Sequence, residues 1–327
     1  MSAQDILVVA EAGYPLAGRG LLADVSAEML GAARQLAGDT GGKVIAILLS
    51  ADGSAYAAGL SAADRILLVN DPLLAGFSPE PYVAVLKSII EAETPRAVLV
   101  ASTSVGLDVA PLLGAKLDAP VVNGCRSVSV QDGVLKVTAG FCGGKLLADV
   151  AITAAPAILL VASGAFRPTD QKGAAVVETR QSPVPLVPGA VVFEQMILPA
   201  AGDVDITQQD VVVAVGRGIQ QRENLEVAEE LAQSLGGAVA ASRPIVDQGW
   251  LPATRQVGKS GMIVKPKCFM ALGISGAPEH VEGMKDSALI IAVNTDPNAP
   301  IFDVAHYGVV ADLLDVVPAL CEAIKGS

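Results

Sequence analysis

The chain has 327 residues, enough for two domains, and its 34 acidic residues outnumber its 22 basic ones, giving a formal net charge of −12. This balance excludes sequence-independent binding of nucleic acid, which needs a basic surface. Hydrophobic residues make up 52% of the chain, but none of the apolar runs approaches the roughly 20 residues of a membrane-spanning helix. We therefore expect no membrane span and no nucleic-acid partner.

Four cysteines, Cys125, Cys142, Cys268 and Cys321, lie far apart and form no Cys-x-x-Cys pair. This spacing predicts neither a zinc site nor a disulfide framework, and it indicates a reducing compartment. The sequence begins with a strand-like run rather than a signal or transit segment. The expected location is the cytoplasm.

Strand-like and helix-like segments alternate through the first half of the chain. The predicted strands are Ile6–Ala10, Lys43–Leu49, Arg65–Val69 and Ala97–Ala101, and the predicted helices are Ser26–Gly38, Pro81–Ala92 and Ser102–Leu117. This alternation is typical of a doubly wound, mostly parallel sheet. From Val121 to Val161 the pattern indicates hairpins, with Asp132-Gly133 as a turn.

A break in the pattern follows. The prolines between Gln181 and Pro188 exclude a helix, and the polar stretch Ala200–Gln209 has the composition of a linker. We place the domain boundary near residue 198, which gives an N-terminal α/β domain of residues 1–198 and a second domain of residues 199–327.

The second domain restarts the α/β alternation. Its predicted strands are Val211–Val215, Ala238–Ala241, Cys268–Leu272 and Ala288–Val293, and its predicted helices are Asn224–Leu235 and Asp312–Ala323. In such sheets ligands bind beyond the carboxyl ends of the strands, so the turns that follow the strands are the candidate binding segments.

Two of these turns carry arginines. Gly216-Arg217-Gly218 allows close backbone approach and offers Arg217 to a phosphate, or it is a plain structural turn. Ser242-Arg243-Pro244 places Arg243 where it could bind an anion or a polarised heterocycle, or it is a solvated loop. Trp250, the single tryptophan, is interpreted as core filler or as a stacking partner for a ligand.

Val257–Gly261 resembles the end of a P-loop, but residue 253 is alanine where that motif needs glycine. Met262–Val264 followed by Pro266 predicts a strand rather than the helix that a P-loop requires. We therefore exclude a nucleoside-triphosphatase and interpret the segment as a loop that presents backbone amides and the Ser260 hydroxyl.

Gly273–His280 predicts a glycine turn leading into a helix whose free amides could cradle a pyrophosphate. His280 then faces the same cleft or is a structural histidine. Asn294–Pro300 predicts a rigid loop rich in Asn and Pro. Four such turns at one sheet edge favour a dinucleotide or flavin site.

These turns carry a resemblance to the α subunit of electron transfer flavoprotein. The matching segments of the second domain are Gly216–Gly218, Ser242–Pro244, Gln256–Gly261, Gly273–Ala277 with His280, Asn294–Phe302 and Tyr307–Asp312. They cover most of residues 211–320 in the family's order and spacing. The first domain matches more loosely, through Thr103–Pro111 and Gly164–Pro168.

The resemblance implies a Rossmann-like second domain that binds one FAD, within a heterodimer in which the first domain is the platform for a β subunit. It implies that Arg243, Ser260 and His280 tune the flavin: Arg243 beside the ring, Ser260 near N5 and His280 at the pyrimidine edge. A cation there stabilises negative charge on the reduced flavin. The implied FAD-binding residues are Arg217, Ser242, Arg243, Val257, Gly258, Lys259, Ser260, Ser275, Gly276, Ala277, Pro278, Glu279, His280, Asn294, Asp312 and Leu313.

The sequence departs from the family pattern at four positions. Lys259 and Glu279 stand where glutamine is usual, His306 replaces a common aspartate, and Ser260 replaces threonine. An ion pair between Lys259 and Glu279 would retune the flavin; neutral drift is the alternative.

The implied function is an electron carrier that accepts electrons from a flavin dehydrogenase, such as an acyl-CoA dehydrogenase, and passes them to a quinone reductase or another acceptor. One alternative is the α subunit of an electron-bifurcating complex that oxidises NADH through a second FAD on the β subunit. A pyridine-nucleotide-dependent dehydrogenase is the alternative from another class, but the acidic ribose-binding residue it needs is missing near Ala240. A third alternative, a non-catalytic assembly subunit, conflicts with the intact glycine turns.

Overall fold

The computed structural model describes residues 4–13, 22–142, 146–169, 175–195 and 204–325. The chain divides into two units, Met1–Met196 and Ile197–Ser327. The domain boundary predicted near residue 198 and the first residues of the predicted linker lie outside the described residues. The rest of that predicted linker includes Ile206, which is buried in the core of the second unit and therefore does not belong to a linker.

A mixed sheet of nine strands forms the centre of the first unit. The strands are β1 Ile6–Ala10, β2 Val44–Ser50, β3 Arg65–Asn70, β4 Ala97–Ala101, β5 Val121–Gln131, β6 Val134–Phe141, β7 Leu146–Ile152, β8 Ala157–Val161 and β9 Val176–Gln181. Their order is β7-β6-β5-β8-β4-β1-β2-β3-β9. Only the β5–β6 and β6–β7 pairs are antiparallel, so the predicted mostly parallel sheet is confirmed.

Three helices cover the two faces of this sheet: α1 Asp24–Thr40, α2 Pro79–Glu93 and α3 Ser104–Leu117. Strands β1, β2 and β4 read as continuous apolar runs because both of their faces are buried. Helix α1 continues through Gly38 and ends at Thr40, where it is capped by Gly41 with a left-handed φ of 72°, so the stop predicted at Gly38 is wrong.

The second unit is built on a fully parallel sheet of five strands. These are β10 Val211–Val215, β11 Ala238–Ala241, β12 Cys268–Leu272, β13 Ile290–Asn294 and β14 Tyr307–Val310, in the order β11-β10-β12-β13-β14. From β10 the chain passes to β11 on one side of that strand, and it then returns to β12 on the other side of β10. The gap between β10 and β12 is therefore the topological switch point of the sheet.

Within residues 204–325, the described part of the second unit, there are four α-helices: α4 Leu225–Ser234, α5 Arg243–Asp247, α6 Pro278–Glu282 and α7 Leu313–Lys325. Buried residues lie on both faces of its sheet and form two separate clusters. The strand predicted at Met262–Val264 is absent: Met262 makes an isolated bridge to Val257, and the chain then continues without regular structure. Across the described residues, none of the helices combines the length and the apolar character needed to cross a bilayer.

Candidate functional site

A cavity of about 190 Å³ opens at the carboxyl ends of β10, β12, β13 and β14. It lies at the switch point of the second sheet, where ligands of doubly wound proteins bind. The lining residues come from the end of β13, from the segments that follow the four strands and from the first residue of α7: Gly218, Gln220, Gly273, Val293, Asn294, Thr295, Ala311, Asp312 and Leu313.

Two glycines bring the turns after β10 and β12 into direct contact. The amide of Gly218 donates to the carbonyl of Gly273 over 3.0 Å. A Cβ atom on either glycine would come within 2.6 Å of the other's Cα, and Gly273 has a φ of 61°. Larger residues are therefore excluded, and the backbone itself forms this part of the cavity wall.

One wall of the cavity carries Asn294, Asp312 and Leu313, three of the residues that the resemblance implies for FAD binding. The Asn294 amide donates to the Ile274 carbonyl over 2.8 Å, which fixes its orientation. Asp312 accepts from the Leu314 amide over 2.9 Å and lies 3.5 Å from the Gln220 side chain. The carboxylate of Asp312 thus caps the first turn of α7, and Asp312 also lines the cavity.

Two further segments of the second unit are locked together. The amide of Lys259 donates to the carbonyl of Glu279 over 2.7 Å, and His280 Nδ1 lies 3.1 Å from the carbonyl of Val257. Gly258 has a φ of 142°, and a Cβ atom there would lie 2.9 Å from the Glu279 carbonyl. The loop of residues 257–261 and the start of α6 therefore form one unit, the locked element.

His280 is the most unusual polar residue of this element. Its side chain is only 6% exposed, and Nε2 has no hydrogen-bond partner among the described residues. Because the Val257 carbonyl can only accept, Nδ1 carries the proton of the neutral ring and Nε2 presents a lone pair. Burial lowers the pKa of His280 to about 4, against a smaller opposing effect of the Val257 hydrogen bond.

The ring is therefore neutral near pH 7. The resemblance implies that His280 tunes the flavin, and in the protein without its cofactor the ring holds that position in its neutral form. Burial in an apolar surrounding that includes Phe269, whose ring centroid lies 6.1 Å from that of His280, disfavours the charged form.

The arginines at this sheet edge are exposed. Arg217 follows β10, and Arg243 is the first residue of the short helix α5, with its side chain 70% exposed and 3.4 Å from the Asp247 carboxylate. Arg243 is therefore solvated, as one of the two interpretations predicted, but it lies in a helix and not in a loop. Ser242 is buried directly before the helix, and its amide donates to the Val215 carbonyl.

Lys259 does not pair with Glu279 as the sequence analysis expected. Its ammonium lies 4.0 Å from the carboxylate of Glu282 instead, one turn further along α6. Glu279 is exposed, and it reaches Lys259 only through its backbone carbonyl. Both partners of the Lys259–Glu282 pair are about half exposed, so the pair contributes little to stability.

The structure places the predicted site residues in four groups. Asn294, Asp312 and Leu313 line the cavity; Val257, Gly258, Lys259, Ser260, Glu279 and His280 form the locked element; and Arg217, Ser242 and Arg243 follow β10 and β11 without lining that cavity. The remaining four, Ser275, Gly276, Ala277 and Pro278, form the turn between β12 and α6. The carbonyl of Ser275 accepts from the Ile301 amide over 3.0 Å.

Trp250 is half-buried and packs against the core cluster beneath α4 and α7, as its interpretation as core filler predicted. Sequence reasoning missed Gln220, Thr295 and Gln256 as site residues. Gln220 and Thr295 line the cavity, and Gln256 is buried next to the locked element. Gln220 lies two residues after the turn Gly216–Gly218 and Thr295 lies within the predicted loop Asn294–Pro300, and these positions are the signal that could have found them.

Models of two protein domains match the chain. The electron transfer flavoprotein domain matches residues 7–188, and the electron transfer flavoprotein FAD-binding domain matches residues 205–285. The second match includes the locked element but ends before Asn294 and Asp312.

Several curated proteins are similar over nearly their full length. The chain is 33% identical to an electron transfer flavoprotein subunit alpha of Bacillus subtilis, over 94% of each chain. It is 35% identical to the protein FixB of Rhizobium meliloti, over 93% of this chain and 89% of the relative. A third relative, subunit LctC of a lactate dehydrogenase (NAD(+),ferredoxin) of Acetobacterium woodii, is 32% identical over 94% of this chain and 75% of its own length.

Proposed function

Because the chain belongs to the electron transfer flavoprotein α-subunit family, we propose that it carries electrons between a flavin dehydrogenase and an acceptor, paired with a β subunit. Its cofactor is FAD, since residues 205–285 match the FAD-binding domain of the family.

The buried Nε2 atom of His280 is the observation that carries the proposal. A buried polar atom without a partner costs free energy, so it points to a group that is supplied from outside the chain. The polar edge of a flavin has hydrogen-bonding groups of the required kind. The glycine contact of Gly218 with Gly273 also leaves backbone open to a phosphate or ribose.

We assign binding residues to each of the three parts of the cofactor. Asn294, Asp312 and Leu313 would hold the adenosine part, and Ser275–Pro278 with Arg217 would hold the phosphates. Arg243, Ser260 and His280 would contact the flavin. Bound FAD supplies the electron transfer itself, because protein side chains have no group that accepts and releases single electrons at the potentials of a flavin.

The residues around the flavin have separate roles. Arg243 is a permanent cation and favours negative charge on the ring, whereas neutral His280 offers a lone pair at Nε2 and a fixed orientation. Lys259 adds a second exposed cation, and we attribute its effect on the flavin potential to its own charge rather than to pairing with Glu279.

We further propose that the donors are acyl-CoA dehydrogenase-type flavoproteins and that the acceptor is a quinone reductase or a similar protein. The four cysteine thiols are free, which favours work in a reducing compartment such as the cytoplasm.

A second candidate is the α subunit of an electron-bifurcating complex. The similarity to the lactate dehydrogenase subunit LctC favours it, since that enzyme's name pairs NAD(+) with ferredoxin. The extra FAD and the NADH site of such a complex would lie on the β subunit, so both candidates use the same α-subunit site.

Purification of the chain together with its β subunit, followed by a flavin count, tests both candidates. One FAD per heterodimer and no bleaching by NADH is the result expected of a simple carrier. Two FAD per heterodimer and bleaching by NADH would establish the bifurcating complex instead. A heterodimer without flavin would contradict both.

A further inference from the structure

Gln256 is a buried polar residue beside the locked element. Gln256 is only 8% exposed. It lies immediately before the loop from Val257 to Gly261. The loop is closed by two backbone hydrogen bonds, from the Met262 amide to the Gln256 carbonyl over 2.7 Å and from the Gly258 amide to the Met262 carbonyl over 3.1 Å. Burial of an amide side chain at this position calls for a defined partner.

That partner is the hydroxyl of Ser260. The Gln256 amide nitrogen Nε2 donates to Ser260 Oγ over 3.0 Å. Ser260 itself is exposed at the tip of the loop. The buried Gln256, at the base of this closed loop, thus holds the exposed hydroxyl of Ser260 in place.

The direction of this hydrogen bond decides what the hydroxyl can offer. A serine hydroxyl has one hydrogen to donate and two lone pairs to accept with. Since Gln256 occupies a lone pair, the single hydrogen of Ser260 is left for an acceptor outside the loop. A hydroxyl without this contact would be free to rotate.

We propose that Gln256 is a positioning residue that directs the Ser260 hydrogen toward the bound flavin, an inference that rests on the proposed function because it takes the flavin to contact this loop. Gln256 acts through Ser260 and need not touch the cofactor. Its effect is to present a donor, rather than a freely rotating hydroxyl, to the ring.

A double-mutant cycle on the complete heterodimer tests the proposal. Gln256→Met removes the amide and keeps the length of the side chain, and Ser260→Ala removes the hydroxyl. We expect Gln256→Met to lower FAD affinity about fivefold, the loss of one oriented hydrogen bond. The midpoint potential of the bound flavin should become more negative, because a donor stabilises the electron-rich reduced ring.

In the Ser260→Ala background the same Gln256→Met substitution should shift the potential far less, since no hydroxyl remains to be positioned. An equal shift in both backgrounds, or no shift in the Ser260 background, would overturn the positioning role. Gln233→Met, on the exposed face of α4, is the matched control and should leave affinity and potential unchanged.

Gln256→Glu covers the case in which Gln256→Met does not fold. A carboxylate of the same shape can only accept, so it draws the Ser260 hydrogen away from the ring. The potential should again become more negative, and this shift should be smaller when Ser260→Ala is also present. A shift that is independent of Ser260 overturns the inference, and a wild-type heterodimer that binds no FAD overturns the proposed function and the inference together.

Discussion

His280 combines a single hydrogen bond at Nδ1 with a buried, unpartnered Nε2. Protonation would place a positive charge where burial penalises it, so the folded protein holds this proton less tightly than the unfolded chain does. The pKa of His280 falls from 6.5 to about 4 on folding. The contribution of the neutral His280 ring to the free energy of unfolding is therefore fully present above pH 6.5, and it is lost as the pH falls from 6.5 toward 4.

We therefore predict that the FAD-free chain loses stability in its second unit on going from pH 7 to pH 5. The part due to His280 is about 2 kcal/mol, from the two pKa values and the linkage relation. Trp250 lies in that unit, so urea unfolding followed by its fluorescence reports the change. His280→Gln should flatten the pH dependence by this amount; an unaltered slope would show that His280 does not titrate on unfolding.

Gly276 combines a left-handed backbone conformation with close contact to a neighbouring backbone. Its φ is 88°, and a Cβ atom there would overlap the backbone nitrogen of Ile301. Gly249 has a similar φ of 70° but has open space around the position of a Cβ atom. Comparison of Gly276 with Gly249 therefore separates the cost of backbone strain, which both positions have, from the cost of steric overlap, which only Gly276 of the two has.

Gly276→Ala should lower the free energy of unfolding by about 2 kcal/mol or more, and it should weaken FAD binding because the turn before α6 must move. Gly249→Ala should cost about 1 kcal/mol, the strain of the left-handed region alone. Urea unfolding and FAD titration of both variants check this. Equal costs for the two substitutions would contradict the overlap at Ile301.

At the scale of elements, Asp312 joins the end of β14 to the start of α7. Its carboxylate accepts from the amide of Leu314, which satisfies one of the free donors of the first helical turn. Helix α7 packs on α4, so the capped turn also supports the wall of the cavity.

Asp312→Ala should lower the free energy of unfolding by about 1 kcal/mol, the usual value of a lost cap, whereas Asp312→Asn keeps an acceptor and should cost less than about half of that. Urea unfolding of the FAD-free chain measures both. Because Asp312→Asn preserves the helix, weaker FAD binding by this variant would reflect contact with the cofactor. Equal destabilisation by the two variants would show that the charge, and not the cap, matters.

The sequence predicted the elements whose pattern is strong and local. Strands buried on both faces, such as β1, β4 and β12, are continuous apolar runs, and their bounds were predicted to the residue. β9 and β14 were missed because they are exposed edge strands without such a run. Met262–Val264 has the composition of a strand, but Met262 bonds back across its own loop instead of joining the sheet.

The candidate site was predictable to a smaller extent. The glycine turns follow from local sequence, since only glycine tolerates their backbone angles and close contacts. The pairing of Lys259 with Glu282, the neutral state of His280 and the hydrogen bond from Gln256 to Ser260 depend on which side chains meet in space. Residue types and spacing do not determine these contacts.

At the scale of the whole molecule, the second unit has what a self-sufficient domain needs. It has its own five-stranded sheet and two buried clusters, one on each face, within about 130 residues. The proposed boundary near residue 198 therefore implies that the cores of the two units do not depend on each other to form.

A fragment of residues 199–327 should fold by itself and unfold cooperatively in urea. Its Trp250 emission should match that of the full chain, because the tryptophan packs against core residues of the same unit. The fragment 1–198 contains no tryptophan and is the control, with circular dichroism as the measurement. If residues 199–327 remain unfolded while the full chain folds, the core of the second unit requires the first, and the boundary near 198 does not separate independent domains.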